Sequence, residues 1–204
     1  MRALRIFGAL VALIVILLAA VAVREIRVGF SARTEPSSIE KLVAKTARKM
    51  AVPSSYQTLR NPFEPSPENL RAGMEHFADH CATCHANNGN GDTLFGRGLY
   101  PKPPDMRGAE TQNKSDGELY YTIENGVRLS GMPAFGEAHG PGGDADNWKL
   151  VLFIRHIPTL TAAEIRQMEE LNPKTEEERQ EEKDEKEFLQ GADQQQQNSK
   201  SHHH

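Results

Sequence analysis

Cys81-Ala82-Thr83-Cys84-His85 is a C-x-x-C-H sequence, the pattern through which a haem is attached covalently to a polypeptide. The spacing has a geometric reason. On a helix, Cys81 and Cys84 lie about one turn apart on one face, so both sulfurs reach the vinyl groups along one porphyrin edge. His85, four residues after Cys81, aims its imidazole beneath the ring as an axial ligand. These are the only two cysteines in the 204 residues. A disulfide between them would close a loop too short to remove much unfolded-state entropy. A thioredoxin-like dithiol would need a βαβ setting, which the sequence lacks. A structural zinc site would need two further ligands at metal spacing; His76 and His80 share a helical face, but His pairs on helices are more often simply solvated.

A six-coordinate iron needs a second ligand from the far side of the ring. Met132 is the candidate, in Ser130-Gly131-Met132-Pro133-Ala134-Phe135-Gly136. Gly131 lets the backbone approach the ring, and Pro133 fixes the loop that aims the thioether. A soft thioether suits low-spin iron and raises its potential relative to a second imidazole. The rivals are Met106, which follows a proline-rich stretch, and His139, in a glycine-rich loop.

Working outward, Ser66 and Pro67 open a helix over Glu68–His80, with Ser66 as cap and Pro67 at the first position, where no N–H is needed. Leu70, Met74 and Phe77 form its apolar stripe, which runs on at helical spacing into Cys81 and Cys84. Asn87–Gly108 is rich in Gly and Pro and reads as irregular. Ser115-Asp116-Gly117-Glu118 is a capping box, and Asn125-Gly126 a stop, giving a middle helix over Asp116–Asn125. Asp146–Ile157 reads as a strongly apolar last helix containing Trp148. Thr161-Ala162-Ala163-Glu164 is a second capping box that starts an extension helix. No period-2 pattern is present, so the class is all-α.

Taken together, Cys81-Ala82-Thr83-Cys84-His85, Gly89-Asn90-Gly91-Asp92, Gly131-Met132-Pro133 and Trp148–Ile157 resemble the class I cytochromes c, single-haem electron carriers, and membrane-anchored bacterial members in particular. The resemblance covers residues 66–158. It implies a haem c, and a crossing of the first and last helices at a small residue. Gly73 occupies that place eight residues before Cys81, with Phe77 four before it and Phe153 positioned over Gly73. It also implies a proline carbonyl that accepts the Nδ1–H of the proximal histidine; Pro103 and Pro104 both qualify.

Ile6–Val23 is an uncharged run of 18 residues preceded by Arg2 and Arg5. That length suits a membrane-spanning helix, and the preceding charges place the following chain on the outer, periplasmic side. Ala20-Val21-Ala22 also fits a cleavage site, but the run is long for a signal peptide, so a retained anchor is expected. Residues 24–65 form a basic linker. Between Arg24 and Arg60 eight bases oppose three acids, and Ser38–Met50 reads as an amphipathic helix with Ile39, Leu42, Val43 and Met50 on one face. The four expected regions are therefore 1–23 anchor, 24–65 linker, 66–158 haem domain and 159–204 extension and tail. Within the last, Glu169–Glu187 holds ten acids and four bases and reads as a solvated, disordered tail. A net charge of −4 with no basic stripe argues against a nucleic-acid partner. The expected function is electron transfer between redox protein partners, without substrate chemistry at the metal. A fixed subunit of a larger oxidoreductase complex is the alternative.

Overall fold

The computed structural model describes residues 2–28, 31–136, 140, 142–181 and 183–184. Among them every regular element is helical, as the missing period-2 pattern predicts. Helix α1 (Arg2–Val28) contains a 24-residue apolar span, Leu4–Arg27. At 1.5 Å per residue that is about 36 Å, long enough to cross a bilayer. Helix α2 (Ser38–Ala51) is capped by Ser37, whose hydroxyl accepts from the Glu40 N–H at 3.2 Å. The one-turn α3 (Ser54–Gln57) precedes the proline-punctuated stretch to Ser66.

Helix α4 (Pro67–His76) starts as expected, with the Ser66 hydroxyl accepting from the Asn69 N–H at 3.2 Å and Pro67 in its first turn. It does not continue regularly to His80. Phe77–Cys81 forms a π-helical turn, in which the Ala82 N–H donates to the Phe77 carbonyl. Phe77 and Ala78, neighbours in this turn, are both fully buried. The chain then resumes as α5 (Ala82–His85). Asn87–Gly108 is mostly irregular but contains α6 (Leu94–Gly98), where the Thr93 hydroxyl accepts from the Gly96 N–H at 2.8 Å. Five residues holding two glycines carry no periodicity, so this turn left no pattern to read. A one-turn α7 (Ala109–Gln112) leads to α8 (Asp116–Asn125), which has the expected capping box: Ser115 Oγ accepts from Glu118 N–H and Glu118 Oε2 accepts from Ser115 N–H. Helix α9 (Ala145–His156) ends in a 3₁₀ turn, Ile157–Thr159, ahead of α10 (Ala162–Leu171).

The core lies where α4 and α9 cross. An ideal Cβ built on Gly73 would stand 2.2 Å from the Lys149 carbonyl oxygen and 3.0 Å from Phe153 Cβ, so the two backbones touch there. The Phe77 and Phe153 rings meet beside the crossing at 5.2 Å. Tyr120 of α8 packs on Trp148 at 4.3 Å, which closes the third side. A second backbone contact had no counterpart in the sequence reading: a Cβ on Gly117 would lie 1.8 Å from the Tyr56 carbonyl, so α3 sits directly on α8. Tyr56 then reaches across to donate to the buried Glu124 at 2.6 Å. The Arg155 guanidinium ties α9 to the loop before α8 through Asp116 (2.9 Å), the Gln112 carbonyl (2.7 Å) and the Lys114 carbonyl.

Helix α10 is held to the domain by Met168, which is fully buried. At its start the Thr161 N–H and hydroxyl both donate to Glu164 Oε2 at 2.7 Å, and His156 Nε2 lies 2.8 Å from Oε1. These groups, the Thr161 donors foremost, hold the Glu164 carboxyl down to about 2 from an ordinary 4.5. A carboxyl depressed in the folded state contributes stability above pH 4.5 and loses it as pH falls towards 2. Glu164→Gln is therefore expected to flatten the fall in melting temperature across that acid window. An identical acid slope in both proteins would refute the role. Of the expected acidic tail, residues 176–181 are helical, whereas residues 182 and 185–204, with His202, His203 and His204, lie outside the described residues.

Candidate functional site

The motif residues and the loop around Met132 share one cavity of about 390 Å³, within the range of small-molecule and cofactor sites. Cys81, at the end of the π turn, and Cys84 and His85, on α5, form part of its wall. Pro103, Pro104 and Met106 contribute another part, and Met132 another. Phe77, Ile123, Leu150 and Ile154 supply the apolar floor from the π turn, α8 and α9. Every site residue expected from the sequence and described here therefore meets in one place; His139 lies outside the described residues.

His85 is buried, and its Nδ1 has no hydrogen-bond partner. Burial pushes the imidazole down to about 4, which keeps it neutral, the form that ligates a metal. Its backbone carbonyl accepts from the Gly91 N–H at 2.9 Å. Gly91 has φ +74°, and a Cβ there would stand 2.7 Å from the Pro103 carbonyl oxygen. The Pro103 carbonyl thus lies against the Gly91 loop, while both Pro103 and Pro104 line the cavity and neither carbonyl is bonded to His85 Nδ1.

Both thiols are free. Burial, then the neighbouring Cys84, pushes the Cys81 thiol up to about 12. A redox dithiol needs a lowered thiol pKa, so this environment is wrong for thioredoxin chemistry. His76 and His80 approach to 4.8 Å between ring centroids, yet no group of three or more metal-binding side chains exists among the described residues.

The two methionines differ in setting. Met106 belongs to the hydrophobic core, its N–H donating to the Gly89 carbonyl at 2.8 Å. Met132 is half-buried on the cavity wall, in a loop closed on itself: the Val127 N–H donates to the Met132 carbonyl at 3.1 Å, and the Met132 N–H donates to Ser130 Oγ at 3.2 Å. A Cβ on Gly131 would stand 2.4 Å from Leu99 Cδ2, so the close approach expected of this glycine is to the Leu99 side chain on the same wall. At the far rim stand Lys102, which pairs with Glu35, and Arg48 of α2. Arg48 escaped the sequence reading because a contact more than thirty residues from the motif leaves no local pattern.

An apolar cavity walled by two free thiols, one buried neutral imidazole with an unpartnered nitrogen, and a thioether is a donor set that fits haem iron. A zinc ion would need at least three such donors grouped together, and no His, Cys, Asp or Glu side chains are so grouped among the described residues.

Comparison with curated proteins finds no match. Residues 68–154 match the family described as cytochrome c oxidase, cbb3-type, subunit III. That segment runs from the first turn of α4 to Ile154 and contains the whole cavity wall except Arg48. The match indicates a domain of the c-type cytochrome family over residues 68–154, which implies haem binding and electron transfer.

Proposed function

We propose that the chain carries one haem c joined through Cys81 and Cys84, with His85 and Met132 as its axial ligands, and that α1 is retained as the tether to the outer face of a bacterial membrane. In this reading it passes single electrons between respiratory or photosynthetic partners. The observation that carries the reading is the convergence of the four side chains on one apolar cavity. When bound, the haem supplies one-electron chemistry at iron. The chain's own residues do the rest. Burial keeps His85 neutral, and a hydrogen bond from its Nδ1 to the carbonyl of Pro103 or Pro104 would fix the ring and raise its basicity as a ligand. The 127–132 loop fixes Met132. Phe77, Leu150 and Ile154 exclude water from the floor. With His85 and Met132 both holding the iron, no position on it would be left for a substrate.

Electron transfer also requires a transient docking patch, and small interfaces suffice. Leu94 and Phe95 are exposed on α6, which backs directly onto the Cys84 carbonyl, and Leu129 is exposed on the methionine loop. Fixed membership of a larger complex is the second reading, and the name of the matched family, an oxidase subunit, favours it. A single stable assembly surviving purification in mild detergent would decide for that reading; a lone chain would decide for a free carrier.

Ligation is tested through Met132. The oxidised protein is expected to show the weak near-infrared absorption of methionine–iron charge transfer. Met132→Ala should abolish it and lower the reduction potential, because a thioether favours the reduced iron. Loss of the band in Met106→Ala, with Met132→Ala unaffected, would transfer the role to Met106.

A further inference from the structure

Helix α2 faces the wrong way for a helix stabilised by its own protein. Its apolar residues Ile39, Leu42, Val43 and Met50 are 76%, 66%, 62% and 80% exposed, and no residue of the helix is buried. The opposite, polar side meets the haem domain: Lys45 pairs with Glu110 at 2.8 Å, Glu40 accepts from the Tyr100 hydroxyl, and Arg48 reaches the cavity rim. Fourteen residues are marginal for an isolated helix in water, and helices in proteins draw most of their stability from packing an apolar face. The face that would do this has no partner within the described chain.

Continuity with the membrane span identifies the partner. Residues 29–37 separate the end of α1 from the start of α2. Even fully extended they reach about 30 Å, so α2 begins close to the bilayer surface. Cations crowd the same stretch: Arg24, Arg27 and Arg33 before the helix, and Lys49 beside its apolar face at helical spacing. An amphipathic helix with leucine, valine and methionine on one side and basic residues on the other lies in the plane of a bilayer, and anionic headgroups strengthen its hold.

We propose that α2 is an interfacial helix, its Ile39–Leu42–Val43–Met50 face seated in the headgroup layer and its polar side carrying the haem domain. The helix then acts as a pad that sets the domain's orientation: the rim bearing Leu99 and Lys102, tied to α2 and to Glu35 before it, is the rim nearest the lipid. The inference rests on α1 being kept as the anchor, and the test reads the two separately.

The full-length haem-loaded protein is reconstituted in vesicles of phosphatidylcholine and phosphatidylglycerol. Single nitroxides are placed through Leu42→Cys and Met50→Cys on the apolar face, Ala44→Cys on the opposite face, and Leu13→Cys within α1. Collision with oxygen, which partitions into lipid, is compared with collision with a water-soluble nickel chelate. Oxygen is expected to dominate at positions 42 and 50 by severalfold, and the nickel reagent at position 44. Dominant nickel collisions at 42 and 50 overturn the proposal, whatever position 13 reports. Shielding from both reagents at 42 and 50 also overturns it, since a protein then covers the face, and dipolar broadening between labels would identify that protein as a second copy. An aqueous signal at position 13 removes the anchor, while lipid contact at 42 and 50 in the same sample keeps α2 as a surface helix in its own right.

Discussion

Replacing both Cys81 and Cys84 with alanine is expected to give a polypeptide that loses all its haem to acid–acetone, whereas the parent protein keeps the pigment through the same extraction. The parent's denatured mass should exceed the chain mass by one haem, and the double variant's should equal it. The expectation follows from the site. With the thioethers gone, retention depends on two axial contacts and an apolar floor, and acid protonates the imidazole while the solvent dissolves the core that walls the cavity. Each single replacement leaves one covalent bond, so each should retain pigment with a shifted spectrum. Thiol titration provides a second readout, because a parent joined to haem through both sulfurs has no free thiol. A chain whose function was dithiol exchange would react readily with disulfide reagents near neutral pH, and this one should not. A colourless parent from cells competent to mature c-type cytochromes would refute the haem assignment.

Gly73→Val is expected to lower stability by about 3 kcal/mol, the upper end of the usual cost of overpacking a core. The obstacle is backbone: a Cβ would stand 2.2 Å from the Lys149 carbonyl oxygen. A side chain can rotate away, but a carbonyl inside α9 cannot without breaking its own helical bonds, so α4 and α9 must separate along the crossing. The Phe77–Phe153 contact at 5.2 Å separates with them. For a domain of this size the loss corresponds to a fall in melting temperature of roughly 10–20 °C. Gly73→Ala places one carbon in the same spot and should fall between the two, so the prediction stays measurable even where the valine form does not fold. An unchanged melting temperature in the alanine form would mean that the helices do not meet at this residue.

What could be read from the chain in advance was whatever is local. The Ser66, Ser115 and Thr161 caps form as their residues require, because a cap is an interaction across three positions. The Gly73 crossing was legible only through family resemblance, since nothing in the neighbouring residues says what a glycine touches. The Gly117–Tyr56 contact and the place of Arg48 at the cavity rim were illegible for the same reason: both join segments far apart in sequence. The π turn was misread as regular helix, because a periodic stripe carries no mark of one added residue. The outward apolar face of α2 was readable as an amphipathic pattern, but its direction was not. Periodicity reveals that a helix has two sides, and only the fold decides which side is spent on the protein.

The π turn at Phe77–Cys81 also bears on how this domain can change by insertion and deletion. It adds one residue between the helix that packs on α9 and the residues that line the cavity. A regular helix of the same length in its place would rotate Cys81, Cys84 and His85 by up to one residue's step, about 100°, relative to α4. Substitutions in this stretch are cheap where the side chain is exposed, as at Asp79, while any change that forces the wide turn into regular helix without removing a residue is not. The same turn uncouples the two faces. The α4–α9 interface can be redesigned residue by residue without re-aiming the cysteines and the histidine, provided the count between them is kept. A designer grafting the C-x-x-C-H segment onto another helix would need to carry those five residues with it.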